Sequence, residues 1–163
     1  MEERRFKEEE LVELGTRLLL TSGMKKEHAV TIAKDLVAAD MRGLYSHGIS
    51  RIPMYLKRID CKCVKPNPDI KVEQVAAAVL KVNGDDGMGF LVAHKAVEAG
   101  IKLAEKTGIA MVGCNHSTHY GMAALYVKQA VEAGYCCMVY TNSSPALPVY
   151  GGRTVFLGAA PFA

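Results

Sequence analysis

From Gly89 to Tyr140 the apolar residues change period repeatedly, and this alternation restricts the fold more than any other feature of the chain. Phe90 to Lys106 reads as a helix with Val92, Ala96, Val97, Ile101 and Leu103 along it, and Gly108 ends it. Ile109 to Val112 reads as a short buried strand, Met122 to Ala133 as a helix, and Tyr135 to Tyr140 as another buried strand. Helices and strands alternating through short links predict an α/β layer with a crossover helix packed on a sheet. Upstream, Ile70 to Val82 predicts two short strands or one broken one. Asn83-Gly84-Asp85-Asp86-Gly87 predicts a tight polar turn. Its acidic pair resembles a fragment of a calcium loop, but the other ligands are missing, which favours a solvated turn.

Before this region the chain follows the helical period. Phe6 to Leu20 predicts an amphipathic helix through Leu11, Val12, Leu14, Leu18 and Leu19, with Glu8 to Glu10 at the end where negative charge is favoured. Thr21-Ser22-Gly23 stops it. Lys25 to Arg42 predicts a second helix with Ile32, Leu36 and Val37 inside. A third runs from about Ile49 to Ile59, with Pro53 in its first turn. Cys61 to Asp69 is a turn-rich connector. The chain therefore divides into a helical segment, residues 1–68, and an α/β part, residues 69–163. Thr141 to Ala163 is loop-rich around a strand at Val155-Phe156-Leu157. Nothing there resembles a domain's last helix, so the chain reads as the front part of a longer protein.

A net charge of +3, with no block of five Lys or Arg, argues against nucleic acid as a partner. Met1-Glu2-Glu3-Arg4-Arg5 lacks the apolar run of a signal peptide, and no apolar stretch approaches the roughly 20 residues that span a bilayer. Five cysteines (Cys61, Cys63, Cys114, Cys136 and Cys137) make a poor disulfide framework, and reduced thiols in a cytoplasm fit better. Cys136 and Cys137 lie in an apolar run and are expected to be buried small hydrophobes.

Three clusters can carry chemistry. In Asp40 to Arg51, Ser46, His47 and Arg51 fall within six residues, bracketed by Gly43 and Gly48. If Gly48 opens a helix, its N-terminus and the Arg51 fork form a carboxylate receptor. The alternative is a polar helix–helix corner with Ser46 as a cap. The second cluster is Cys114-Asn115-His116-Ser117-Thr118-His119-Tyr120-Gly121, where a strand end meets a helix start. One imidazole there can be a general acid/base, Cys114, His116 and His119 can bind a metal, or the two imidazoles can be structural. The third is Tyr140-Thr141-Asn142-Ser143-Ser144-Pro145, with short polar side chains suited to phosphate or ribose oxygens, or else a surface turn. The usual Rossmann fingerprint, the P-loop and G-x-S-x-G are all absent.

Taken together, these residues resemble the second, non-Rossmann family of NAD(P)-dependent malate/L-lactate dehydrogenases, which includes ureidoglycolate and sulfolactate dehydrogenases. The resemblance rests on Ala39-Asp40-Met41-Arg42-Gly43, Ser46-His47-Gly48 with Arg51, Tyr55 with Arg58, and Gly108 to Val112. It continues through Ser117-Thr118-His119-Tyr120-Gly121, Thr141-Asn142-Ser143, Pro145, Pro148, Gly151-Gly152, Gly158 and Pro161. It implies an N-terminal helical segment followed by a non-Rossmann α/β cofactor-binding sheet domain. It also implies hydride transfer between NAD or NADP and a small 2-oxo or 2-hydroxy acid, in a homodimer. His119 would exchange the proton of the substrate hydroxyl. Ser46, His47 and Arg51 would hold and polarise the substrate. Ser143, Asn142, Pro145 and His47 would contact the cofactor, and no metal is implied. The chain departs from the family at Gly158-Ala159-Ala160-Pro161, where the family usually reads Gly-Thr-Asn-Pro, and at His116, where Asn is common. Family members are about twice as long, so the expected sheet domain is truncated. The alternatives are a non-catalytic binding or assembly subunit of the same fold, or a metal-dependent hydrolase using His116 and His119.

Overall fold

A computed structural model of the chain describes residues 5–163. Met1–Arg4, read above for a leader, lies outside the described residues. The chain forms two compact units, one ending at Met122 and the other running Ala123–Ala163.

The first unit opens with α1 (Glu8–Leu20) and α2 (Lys26–Met41), which pack on each other. Three glutamates fill the first turn of α1, and the Lys7 N–H donates to Glu10 Oε2 at 3.1 Å. The Thr21 and Ser22 hydroxyls donate to the carbonyls of Leu18 and Leu19 and close its other end. In α2, Ala29, Ile32, Ala33, Leu36 and Val37 are buried, the three- and four-residue spacing of one helix face. Much of this face, with Leu19, Met24, Ile52, Tyr55, Ile59, Met88, Phe90 and Leu91, builds the main core.

The third helix, α3 (Ile52–Asp60), starts later than the expected Ile49. Pro53 has no N–H to offer the Ile49 carbonyl. That carbonyl accepts from the Ile52 N–H instead, so Ile49–Arg51 is a 3₁₀ turn. In the connector, Asn67 accepts from the Lys25 N–H at 2.7 Å and donates to the Gly23 carbonyl at 2.8 Å. One amide thus staples the connector to the α1–α2 turn.

β1 (Lys71–Ala76), β2 (Val79–Gly87) and β3 (Met111–Ser117) form a sheet in the order β1-β2-β3. β1 and β2 are antiparallel; β2 and β3 are parallel, with α4 (Gly89–Thr107) as their crossover. Val82, Val92 and Ala96 form a second core beneath that crossover, with Ile70 and Val112 against it.

Two further expectations in this unit are corrected. Asn83–Gly87 is the irregular end of β2 rather than a free turn: Asn83 pairs with Asn115 and Gly87 with Ser117, so four steps along β2 oppose two along β3. The connector holds this bulge, through Lys65 N–H to the Asp86 carbonyl, a Lys65–Asp85 ion pair and Asp69 N–H to the Asp85 carboxylate. The second correction is that β3 is largely exposed instead of buried. In the three-stranded sheet it has β2 as its neighbour on one side only, and burial of an apolar strand needs cover from outside the strand.

The second unit contains α5 (Ala124–Glu132) and an antiparallel pair, β4 (Leu147–Pro148) with β5 (Val155–Leu157). The expected strand Tyr135–Tyr140 does not form. Val139 instead exchanges both backbone hydrogen bonds with Ala163, at 2.8 and 2.9 Å, and Tyr140 bridges to Phe162. Cys136 is consequently exposed and Cys137 half-buried, correcting the expectation that both are core residues. No helix among the described residues is long and apolar enough to cross a membrane.

Candidate active site

Two corners of the first unit converge. The first follows α2. Gly43, at φ 75°, turns the chain, and Asp40 Oδ2 accepts the Ile49 N–H at 2.8 Å, drawing the segment back onto the helix end. A Cβ on Gly48 would overlap that carboxylate, so the close approach requires glycine. The intervening Tyr45–His47 is a single 3₁₀ turn. In it, Ser46 Oγ lies 2.9 Å from His47 Nδ1. Arg51 Nε donates to the Ser46 carbonyl at 2.6 Å, and Nη1 meets Met54 Sδ at 3.9 Å. Among the described residues Nη2 makes no hydrogen bond. The guanidinium is held at its neck with its outer edge open, the geometry a carboxylate needs.

The second corner follows β3. The Thr118 hydroxyl donates to the Gly87 carbonyl at 3.0 Å and accepts the Gly89 N–H at 3.3 Å, tying the loop to the start of α4. A side chain at Gly89 would collide with the backbone of Thr118 and His119, so glycine lets this loop sit directly on the helix. His119 then points its Nδ1 at the Tyr55 hydroxyl, 2.9 Å away, and at the Gly121 N–H, 3.2 Å away.

The corners meet at the two imidazoles. The His47 and His119 rings have centroids 5.6 Å apart, and Tyr55 packs edge-on to Phe90 at 5.8 Å. Burial, and then the positive charges of Arg51, His47 and Arg58, push His119 down from the ordinary 6.5 to about 4. Burial and Arg51 lower His47 as well. Burial drives Tyr55 up to about 12, although Arg51 and Arg58 pull the other way. A neutral imidazole thus faces two guanidinium groups, an arrangement that an anion would relieve.

Of the residues singled out from the sequence, Ser46, His47, Arg51 and His119 share this unit and this place. His116 does not join them; its Nδ1 is 3.1 Å from Asp86 Oδ1, on the exposed β2 bulge. Among the described residues no group of three His, Cys, Asp or Glu side chains is placed to hold a metal ion. The alternative with Cys114, His116 and His119 as joint ligands does not form. Asn142, Ser143 and Pro145 lie exposed in the second unit. Ser143 Oγ accepts the Ala160 N–H at 3.3 Å and keeps its own proton to donate, and the Asn142 amide makes no hydrogen bond among the described residues. These donors fit the ribose and carboxamide oxygens of a nicotinamide cofactor.

Sequence reasoning left out Tyr55 and Asp40 as site residues. Tyr55 carried a usable signal, since Arg51, Tyr55 and Arg58 follow one another at four- and three-residue steps and so share a helix face. Asp40 carried none, because its role depends on a partner across a turn.

A sequence profile of malate/L-lactate dehydrogenases matches residues 6–163. The chain belongs to the malate/L-lactate dehydrogenase family. The malate dehydrogenase of Pyrococcus abyssi is 35% identical over 159 residues, which are 98% of this chain and 44% of that protein. The NAD(+) ureidoglycolate dehydrogenase of Escherichia coli K12 is 33% identical over 155 residues, 95% of this chain and 44% of the relative. The solved malate dehydrogenase of Pyrococcus horikoshii OT3 superposes with a TM-score of 0.90 at 34% identity, covering 98% of this chain and 46% of that one. The chain therefore spans somewhat under half the length of the relatives it matches. Both corners lie within the part of the malate/L-lactate dehydrogenase fold that it spans.

Proposed function

We propose that the chain supplies the substrate-binding and proton-transfer groups of an NAD(P)-dependent oxidoreductase acting on a small 2-oxo acid or the matching 2-hydroxy acid. The observation that carries this is the meeting of His119, His47, Ser46 and Arg51 in one unit, with His119 held neutral beside cations. The open edge of Arg51 anchors the substrate carboxylate. That anion offsets the field that lowers His119, which then moves the proton at the substrate oxygen. Ser46 and His47 polarise the same oxygen. In the second unit, the Ser143 hydroxyl and the Asn142 amide beside Pro145 would contact a nicotinamide cofactor, which when bound supplies or takes the hydride. The charge of Arg58 also reaches Tyr55 and His119, which supports an acid with a second negative group, of the malate type. All five cysteines are free thiols, which supports a reducing compartment such as cytoplasm. A homodimer accompanies this reading and is checked by light scattering of the purified chain.

The test mixes the protein with NADH or NADPH and pyruvate or oxaloacetate and follows the absorbance of the reduced nicotinamide. Turnover is expected, with His119→Ala losing far more in kcat than in cofactor binding. A second reading, a binding or assembly subunit of the same fold, is favoured by the exposed Met138, Tyr150, Phe156 and Phe162 of the second unit. Absence of turnover, with no shift of melting temperature on adding cofactor, would decide for that reading.

A further inference from the structure

The Tyr55 hydroxyl is a buried titratable group to which the proposed reaction gives no role. It stands 2.9 Å from His119 Nδ1, and the Gly121 N–H reaches the same nitrogen at 3.2 Å. A backbone N–H can only donate, so Nδ1 carries a lone pair. The Tyr55 hydroxyl, facing the same lone-pair nitrogen, donates as well. In the neutral ring the proton then sits on Nε2, which makes no hydrogen bond among the described residues. We propose that Tyr55 is a positioning residue that locks His119 in its Nε2–H tautomer, so that His119 meets the substrate as a donor to its oxo oxygen. The consequence for reaction rests on the function proposed above; the tautomer itself is a property of the protein without ligands.

The surroundings suit this role. The ring of Tyr55 is 1% exposed, and Phe90, at the start of α4, holds it edge-on. The groups facing His119 are Tyr55, Arg51 and Arg58 on the α3 side and His47 from the preceding turn. Neither guanidinium can accept a proton in place of Tyr55, and the Nδ1 of His47 is engaged with Ser46 Oγ.

The lock also closes the proton count during reduction. As charge develops on the substrate oxygen, the Nε2–H bond breaks and a substrate O–H bond forms. The Tyr55 O–H bond breaks and an Nδ1–H bond forms, so the ring stays neutral. Burial disfavours the phenolate left behind, and the fields of Arg51 and Arg58 offset part of that cost until the proton returns. After product leaves, Nε2 takes a proton from solvent and Nδ1 returns its own to Tyr55.

Long-range proton–nitrogen correlation NMR on the ¹⁵N-labelled chain, without cofactor or substrate at neutral pH, reads the tautomer directly. His119→Asn assigns the signal. The wild type is expected as Nε2–H. Tyr55→Phe keeps the ring and the Gly121 N–H but removes the shorter of the two donors to Nδ1, so the Nε2–H fraction should fall and His119 should titrate at a higher pH. Phe90→Leu loosens the packing but keeps the hydroxyl, and should leave the tautomer as in the wild type. An Nδ1–H tautomer in the wild type, or an unchanged tautomer and titration in Tyr55→Phe, overturns the proposal. So does a Phe90→Leu spectrum that changes as Tyr55→Phe does, because the role would then be packing alone. In the turnover assay Tyr55→Phe should lower kcat by about 10²-fold with KM for the oxo acid little changed. A wild type without turnover defeats the functional reading alone, since the NMR result stands apart from it.

Discussion

His119 is the clearest place to test the electrostatics, because its titration leaves a mark on stability whether or not the chain turns over substrate. Its folded-state value of about 4 lies below the ordinary 6.5, so the fold disfavours the imidazolium. Above pH 6.5 the ring is neutral in both states and the group costs nothing. As pH falls below 6.5 the unfolded chain binds a proton that the folded chain refuses, and stability drops until the folded ring also titrates near pH 4. Unscreened, a shift of this size corresponds to about 3 kcal/mol; His119 is only partly buried, and solvent screening reduces this to about 1–2 kcal/mol, of which about 1 kcal/mol is lost between pH 7 and pH 5. His119→Asn removes this titration. Urea unfolding of both proteins at pH 7, 6 and 5 should show the wild type falling more steeply than the variant, the gap widening by about 1 kcal/mol. His47, lowered by burial and Arg51, remains in both proteins, so its own titration is common to the two curves apart from its coupling to His119. Parallel curves would refute the assignment of a buried, cation-facing His119.

Arg51→Gln should raise KM for a 2-oxo acid by about 10- to 100-fold while changing cofactor affinity little, measured by steady-state kinetics and cofactor titration, because the carboxylate loses its charge-assisted partner. Oxalate should raise the titration of His119 followed by NMR in the wild type and much less in Arg51→Gln, since the anion offsets the Arg51 field. Gly48→Ala forces a Cβ into the Asp40 carboxylate and should cost about 1–3 kcal/mol in urea unfolding. Leu36→Ala empties a fully buried position of the main core and should cost about 2–5 kcal/mol by the same measurement, without moving the His119 titration.

The elements legible from sequence were those whose period is set by their own residues. The first two helices and the crossover helix were each read to within two residues at either end. The elements that went astray depended on neighbours. Ile49 belongs to a 3₁₀ turn because of a proline four residues on. Asn83–Gly87 has the composition of a turn, yet β3 on one side and Lys65 on the other hold it as a bulge in the strand, with Asp85 and Asp86 at φ 50° and 55°. Tyr135–Tyr140 has the composition of a strand, but only the last residues of the chain pair with it. Strand propensity describes a fit to a half-buried sheet, and it cannot supply the sheet. At the site, Ser46, His47, Arg51 and His119 were legible as residue types, whereas Tyr55 and Asp40 act through partners 64 and 9 positions away.

By itself, the order of residues determined the helical first part, the α/β layer after it, and the family to which both belong. It did so because helix periods, glycine positions and turn chemistry are local. The tertiary structure alone decided which groups meet. It brought His119 onto Tyr55, set His47 beside it, and lowered its proton affinity through burial and two arginines. Those effects depend on distance and on exclusion of water, and neither exists until the corner after α2 and the loop after β3 are packed on the same core.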